Sequence, residues 1–170
     1  YRSHGIAKTK LWDSDMSLLG YNYRITDVAC ALGLSQLKRL DGFIAKRNEI
    51  AKFYNEEFSE CKYFKIIKIP TNTTSSRHLY PVLLDEKFWD KKEQIFEALL
   101  QKGVGVQVHY KPTYKFSFYK ALLGEISLPN AEKFYSAELS IPCHHGMSVD
   151  DAKFVASTLF DVLKSFSEQK

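Results

Sequence analysis

Cysteine is scarce in this sequence and does not pair. Cys30, Cys61 and Cys143 are odd in number, far apart and outside any Cys-x-x-Cys spacing. That argues against a disulfide framework and a zinc site, and it suits reduced thiols in a cytosolic protein. Long apolar runs are also missing. None approaches the roughly 18 residues of a membrane span, and no signal-peptide pattern opens the chain. Charge of one sign is in short supply: 24 basic residues face 20 acidic ones, and the net +4 is scattered. That excludes an electrostatic footprint for nucleic acid; Lys62, Lys65 and Lys68 read as a solvated strand face. No Gly-x-Ser-x-Gly, phosphate loop or motif-linked carboxylate pair occurs, and no repeat or low-complexity tract. The neighbours His144 and His145 do not make a metal site. Adjacent side chains on extended backbone point apart, and no carboxylate or cysteine at helix spacing completes a ligand set.

What is present reads as one soluble, globular unit with an N-terminal extension. The chain has 170 residues, 45% apolar and 26% charged, enough to bury a core. Tyr1 to Leu19 shows no steady period and reads as irregular, with one helical turn near Asp13–Leu18. Periodicity places helices over about 26–40 and 41–59, the second with a stripe of Phe43, Arg47, Ile50, Tyr54 and Phe58. Strands are expected over 64–69, 77–84 and 104–108, with a helix over 88–102 ended by Gly103. Pro81 marks the second strand as an edge or as carrying a locally unpaired amide. Short helices follow over 116–123 and 130–139, then a last helix opened by the capping-box pattern Ser148-Val149-Asp150-Asp151. Its stripe is Ala152, Val155, Leu159, Val162 and Phe166. The fold class is therefore α/β (α+β), a small, mainly antiparallel sheet with helices packed on one face.

The chain is organised around residues 20–37. Gly20 permits a reversal, Thr26 or Asp27 caps a helix, and Ile25, Val28, Ala29, Leu32, Leu37 and Leu40 are read as its buried face. Asn22 and Arg24 thus stand just ahead of a helix N-terminus, a setting that favours phosphate or carboxylate; a plain capped loop is the alternative. Farther on, His109 and Tyr110 leave a strand for a loop rich in aromatics, where binding residues concentrate. A buried His packed under Pro112 is the alternative there.

Four ordered segments carry a resemblance. Gly20-x-Asn22-x-Arg24 with the small-residue helix ending Gln36-Leu37 is the first. Arg2-Ser3-His4-Gly5, Val108-His109-Tyr110-Lys111-Pro112, and Leu139-Ser140-Ile141-Pro142 with Met147-Ser148 are the others. Together they resemble the DegT/DnrJ/EryC1/StrS sugar aminotransferases, which use pyridoxal phosphate and have the aspartate-aminotransferase fold. Leu11 to Met16, Val106 to Tyr114 and Ala137 to His144 resemble its pseudaminic acid branch in particular. The resemblance implies the C-terminal small domain of that fold. Residues 1–60 would be an extension and linking helices that meet a large domain and a dimer partner, and residues 61–170 the small α/β domain.

It also implies a full-length cytoplasmic homodimer that moves an amino group from glutamate to C4 of a UDP-linked 4-keto-6-deoxy-N-acetylhexosamine. No membrane or nucleic acid takes part. Asn22 would reach the cofactor phosphate of the neighbouring subunit. Arg24 would bind phosphate or the nucleotide diphosphate, His109 the hexose, and Tyr110 a sugar or base. Arg2 and His4 would be positional. The family's Schiff-base lysine lies upstream of the segment matched by Arg2–Gly5, so no catalytic residue is assigned here and the chain alone is expected to be inactive. The apolar faces of the first helix and the extension, which would meet the large domain, are expected to make it self-associate. The reading from another class is a stand-alone small α/β binding or regulatory module without catalysis.

Overall fold

A computed structural model describes residues 1–168. Its contacts fall into two compact units that divide between Asp41 and Gly42.

The first unit opens with a hairpin, not an irregular stretch. Strands β1 (Ile6–Lys8) and β2 (Ser14–Met16) pair antiparallel, Ile6 opposite Met16. Each has three residues, all exposed, so neither carries the alternation that reveals a half-buried strand. Two glycines bring the chain together here. A Cβ on Gly20 would lie 2.2 Å from the Gly5 nitrogen, and one on Gly5 would lie 2.0 Å from the Leu18 carbonyl oxygen. Gly20 is therefore needed for close approach, whereas Gly5, at φ +69°, also needs the left-handed conformation. Helix α1 (Asp27–Leu37) is capped as expected, with Thr26 Oγ1 accepting from the Ala29 N–H. Its apolar residues do not form one buried face. Val28 and Leu37 lie about 180° apart around the axis, and both are exposed, as are Leu32 and Leu34.

The second unit holds the core. Helix α2 (Leu40–Glu57) contributes Ile50, Ala51 and Tyr54 to it. Strands β3 (Phe64–Ile66), β4 (Tyr80–Leu84) and β5 (Glu138–Ile141) form a fully antiparallel sheet in the order β3-β4-β5. The second strand is thus central, and Pro81 needs explaining. Ser140, its partner across β5, spends its own N–H and C=O on Gln107. Pro81 therefore turns its imide nitrogen toward the β3 side, where pairing has already stopped at Ile66 opposite Val82. A locally unpaired position tolerates proline even in a central strand. Residues 104–108 add only a bridge, Gln107 with Ser140; the third strand of the sheet is β5. The expected strand over 77–84 loses its start because Arg77 sits at φ +49°, outside extended geometry.

Helices α2, α3 (Lys92–Gln101) and α6 (Val149–Glu168) join in one core the sheet face that bears Phe64, Tyr80, Val82, Leu84, Leu139 and Ile141. Residues 86–91 are a 3-10 turn preceding α3, tied back by Trp89 Nε1 donating to the Leu84 carbonyl. Gly103, at φ +82°, closes α3. At the start of α6, Ser148 Oγ accepts from the Asp151 N–H at 3.1 Å and Asp151 returns the bond to the Ser148 N–H at 2.7 Å. Short helices α4 (Ser117–Leu123) and α5 (Pro129–Ala137) lie between, and α5 leads directly into β5.

Candidate functional site

In the first unit, residues 1–4 run against residues 21–23. Tyr21 donates to the Tyr1 carbonyl at 2.7 Å, His4 to Tyr21 at 2.8 Å and Tyr23 to Arg2 at 2.9 Å, with Ser3 bridged to Asn22. Extended backbone then sorts the side chains by parity. Tyr21 and Tyr23 stack at 4.7 Å on one side. Asn22 and Arg24 share the other, where Arg24 Nε donates to Asn22 Oδ1 at 3.3 Å. That bond sets the amide oxygen against the guanidinium, and the NH2 is the donor the amide can offer a ligand. Both residues are exposed. The helix end itself contributes little, since Thr26 and Asp27 already occupy the first turn of α1. The donor set, one amide NH2 and one guanidinium, fits a phosphate.

In the second unit, His109 and Tyr110 stand where the chain leaves Gln107's bridge to β5. Their rings meet edge to face at 4.7 Å, Tyr110 is 71% exposed, and His109 Nδ1 is buried with no partner. The segment is held from below by a residue that sequence reasoning passed over. Glu138 has 0% exposure and accepts from the His109 backbone N–H at 2.7 Å and from Ser140 Oγ at 2.6 Å. The signal was there. Alternation along Glu138-Leu139-Ser140-Ile141 puts an acid and a hydroxyl on the face opposite two core residues. Lys92 lies close by, its amine donating to the Tyr135 carbonyl at 2.6 Å. Burial lowers its pKa and the Glu138 charge partly restores it.

His144 Nδ1 accepts from the Gly146 N–H, and His145 stacks on Phe43 at 3.9 Å. His78 is exposed. The pairs Asn22–Arg24 and His109–Tyr110 belong to different units. No group of three or more His, Cys, Asp or Glu among the described residues is arranged to hold a metal, and no described helix is long and apolar enough to cross a membrane.

The small antiparallel sheet with its helices is the C-terminal domain of the aspartate-aminotransferase fold. The chain belongs to the DegT/DnrJ/EryC1/StrS aminotransferase family, whose match covers residues 1–160. Among its relatives is the UDP-4-amino-4,6-dideoxy-N-acetyl-beta-L-altrosamine transaminase of Campylobacter jejuni, 64% identical over 96% of this chain and 43% of that protein. The Helicobacter pylori transaminase of the same name is 37% identical over 98% of this chain and 44% of its own length. A solved structure of Helicobacter pylori PseC, an aminotransferase involved in the biosynthesis of pseudoaminic acid, superposes with a TM-score of 0.91 at 36% identity, over 96% of this chain and 44% of that one. The PLP form of a putative sugar aminotransferase, Spr1654 of Streptococcus pneumoniae, gives 0.88 at 27% identity, over 96% and 42% of the two chains. The chain thus spans less than half the length of these relatives. Family and PLP-bound neighbour make pyridoxal phosphate the cofactor of the full-length parent.

Proposed function

We propose that these residues form the C-terminal part of a pyridoxal-phosphate-dependent nucleotide-sugar aminotransferase. The parent would pass an amino group from glutamate to C4 of a UDP-linked 4-keto-6-deoxy-N-acetylhexosamine, in the formation of a pseudaminic-acid-type sugar. The observation that carries the reading is the 64% identity, over nearly the whole chain, to a transaminase named for a 4-amino-4,6-dideoxy UDP-sugar. The exposed Asn22–Arg24 pair supports it, because an amide and a guanidinium side by side on extended backbone suit a phosphate. Asn22 would hold the cofactor phosphate across a homodimer interface, and Arg24 would add charge there or at the nucleotide diphosphate. His109 and Tyr110 would border the sugar, the phenol ring offering a stacking face and the imidazole a hydrogen bond. When bound, pyridoxal phosphate supplies the electron sink that moving an amino group between carbons requires.

By the same resemblance the Schiff-base lysine comes from the remainder of the parent. The 170 residues alone are then inactive. Borohydride reduction of this chain with pyridoxal phosphate should leave no specific lysine adduct; a stoichiometric adduct at one lysine would overturn that assignment. In the full-length enzyme, Asn22→Ala should weaken cofactor retention about tenfold, the cost of one hydrogen bond to a charged group, read as cofactor absorbance after dialysis. Unchanged retention would remove Asn22 from the site.

A further inference from the structure

Among the described residues, Glu138 is the only charged residue in the buried interior. A carboxylate taken out of water is costly unless donors replace its hydration. Glu138 has two, Ser140 Oγ at 2.6 Å and the His109 backbone N–H at 2.7 Å. Both are short, as bonds to an ionised acceptor are.

Where the second donor comes from is informative. Gln107 and Ser140 exchange both backbone hydrogen bonds, at 3.1 Å and 2.8 Å. In an antiparallel ladder the next such pair lies two residues along each strand, which here is His109 with Glu138. If pairing continued, the His109 N–H would go to Glu138's own carbonyl. It goes to the side chain instead. The ladder ends at that point, and the chain leaves β5 carrying a half-buried His109 and an exposed Tyr110. Fixing the His109 nitrogen fixes the base of both rings. The imidazole then stands edge to face with the phenol ring, its Nδ1 unspent.

A neutral acceptor would end a ladder at lower desolvation cost. What a buried carboxylate adds is a stronger and more directional bond at one place, the backbone of the residue next to Tyr110. We propose that Glu138 is a positioning residue of the nucleotide-sugar site: its buried carboxylate holds the His109 backbone and thereby aims the His109 imidazole and the Tyr110 ring at the sugar. The inference rests on the reading of His109 and Tyr110 as substrate contacts.

The test uses the full-length enzyme and Glu138→Gln, which keeps the shape and one acceptor oxygen but removes the charge. KM for the nucleotide sugar should rise about fivefold, the loss of charge assistance on one hydrogen bond. The half-reaction with glutamate, followed by cofactor absorbance, should keep its rate. Hydrogen exchange should quicken in the peptide spanning 107–110 and stay unchanged elsewhere. An equal loss in both half-reactions, or unchanged exchange at 107–110, overturns the proposal. Should Glu138→Gln not fold, Ser140→Ala removes one of the two bonds and must show the same split between sugar and glutamate; an equal loss overturns the proposal there too. His109→Ala and Tyr110→Ala are run alongside. If neither alters the sugar half-reaction, the site reading fails and the inference falls with it. If either does while Glu138→Gln changes nothing, positioning alone is refuted.

Discussion

Tyr54 fastens α2 to the segment that follows β5, and removing its hydroxyl tests how the core is held. The side chain is fully buried. Its ring stacks on Phe58 at 5.3 Å and tilts against Tyr80 at 4.9 Å, while its hydroxyl donates to the Pro142 carbonyl at 2.9 Å. Tyr54→Phe keeps the ring and deletes the donor, so the Pro142 oxygen loses this partner. The net bond is worth about 1 kcal/mol and a stranded buried acceptor adds more, which gives about 1–2 kcal/mol of destabilisation.

The same residue makes an alkaline prediction. Burial, with Cys143 next in importance, raises the Tyr54 pKa well above its ordinary value of 10.0, and burial likewise raises Tyr80, whose hydroxyl donates to Asn55 Oδ1 at 2.8 Å. A folded-state pKa above the unfolded one contributes stability that is fully present below the unfolded value. It is lost as pH climbs past that value, because the unfolded phenol ionises while the folded one stays protonated. Between about pH 10 and 11 each tyrosine should cost about 1 kcal/mol, and Tyr54→Phe should remove one of the two contributions. Urea unfolding followed by tryptophan fluorescence at neutral and alkaline pH reads both effects. A loss at neutral pH below about 0.5 kcal/mol, or an alkaline loss as steep in Tyr54→Phe as in the parent, would refute the reasoning.

Gly20→Ala should release residues 1–4 from residues 21–23, because its Cβ would sit 2.2 Å from the Gly5 nitrogen; faster amide exchange confined to residues 1–24 is the expected result. Asp151→Asn should lower the thermal midpoint near neutral pH, where hydrogen bonds from Ser148 hold the Asp151 carboxyl below its usual range. That contribution exists above the unfolded carboxylate pKa and is lost as pH falls through the lower folded value, so the two melting curves should converge in acid. Cys143 is buried and burial pushes its thiol pKa up, whereas Cys30 and Cys61 are half-buried. A thiol reagent at mildly alkaline pH should therefore modify Cys30 and Cys61 first, a sequence that peptide mapping can follow.

Where local chemistry decided the structure, the sequence could be read. The Ser148–Asp151 box, the Thr26 cap and Gly103 each satisfy backbone groups within a few residues, and all stand where expected. Readability failed where the deciding partner was distant or the element too short. The hairpin β1–β2 buries nothing, so no periodicity announces it. Val104–Val108 reads as a strand in its alternating valines, and Val104 and Val106 do enter the core, yet only Gln107 pairs with a strand; the Val104 N–H turns back to the Leu99 carbonyl. The edge position considered for Pro81 followed from its missing N–H; which side that N–H would face depends on Gln107, far away in the chain. Of the candidate binding residues, Asn22, Arg24, His109 and Tyr110 came from motifs; alternation along β5 marks Glu138 as an acid opposite the core face, but its partner at His109 required the register of β5 against residues 107–109.

Glu138 and α1 both depart from the rule that charge faces water and apolar side chains face the core. The valine and leucines of α1 are exposed around the helix, and Leu11, Trp12 and Leu19 before it and Phe118 and Leu122 on α4 are exposed as well. A helix apolar on several sides is not satisfied by one flat neighbour and asks to be enclosed. Departures of this kind concentrate where a chain must do something besides fold. The exposed helix lies directly after the Asn22–Arg24 pair, and Glu138 directly beneath His109. In the proposed dimer the first would be covered where the cofactor phosphate is held between subunits, and the second would aim the sugar contacts. On the proposed function, the local costs at these two places would fall on segments that meet cofactor and substrate, while the core around Tyr54, Leu139 and Leu159 obeys the ordinary rules.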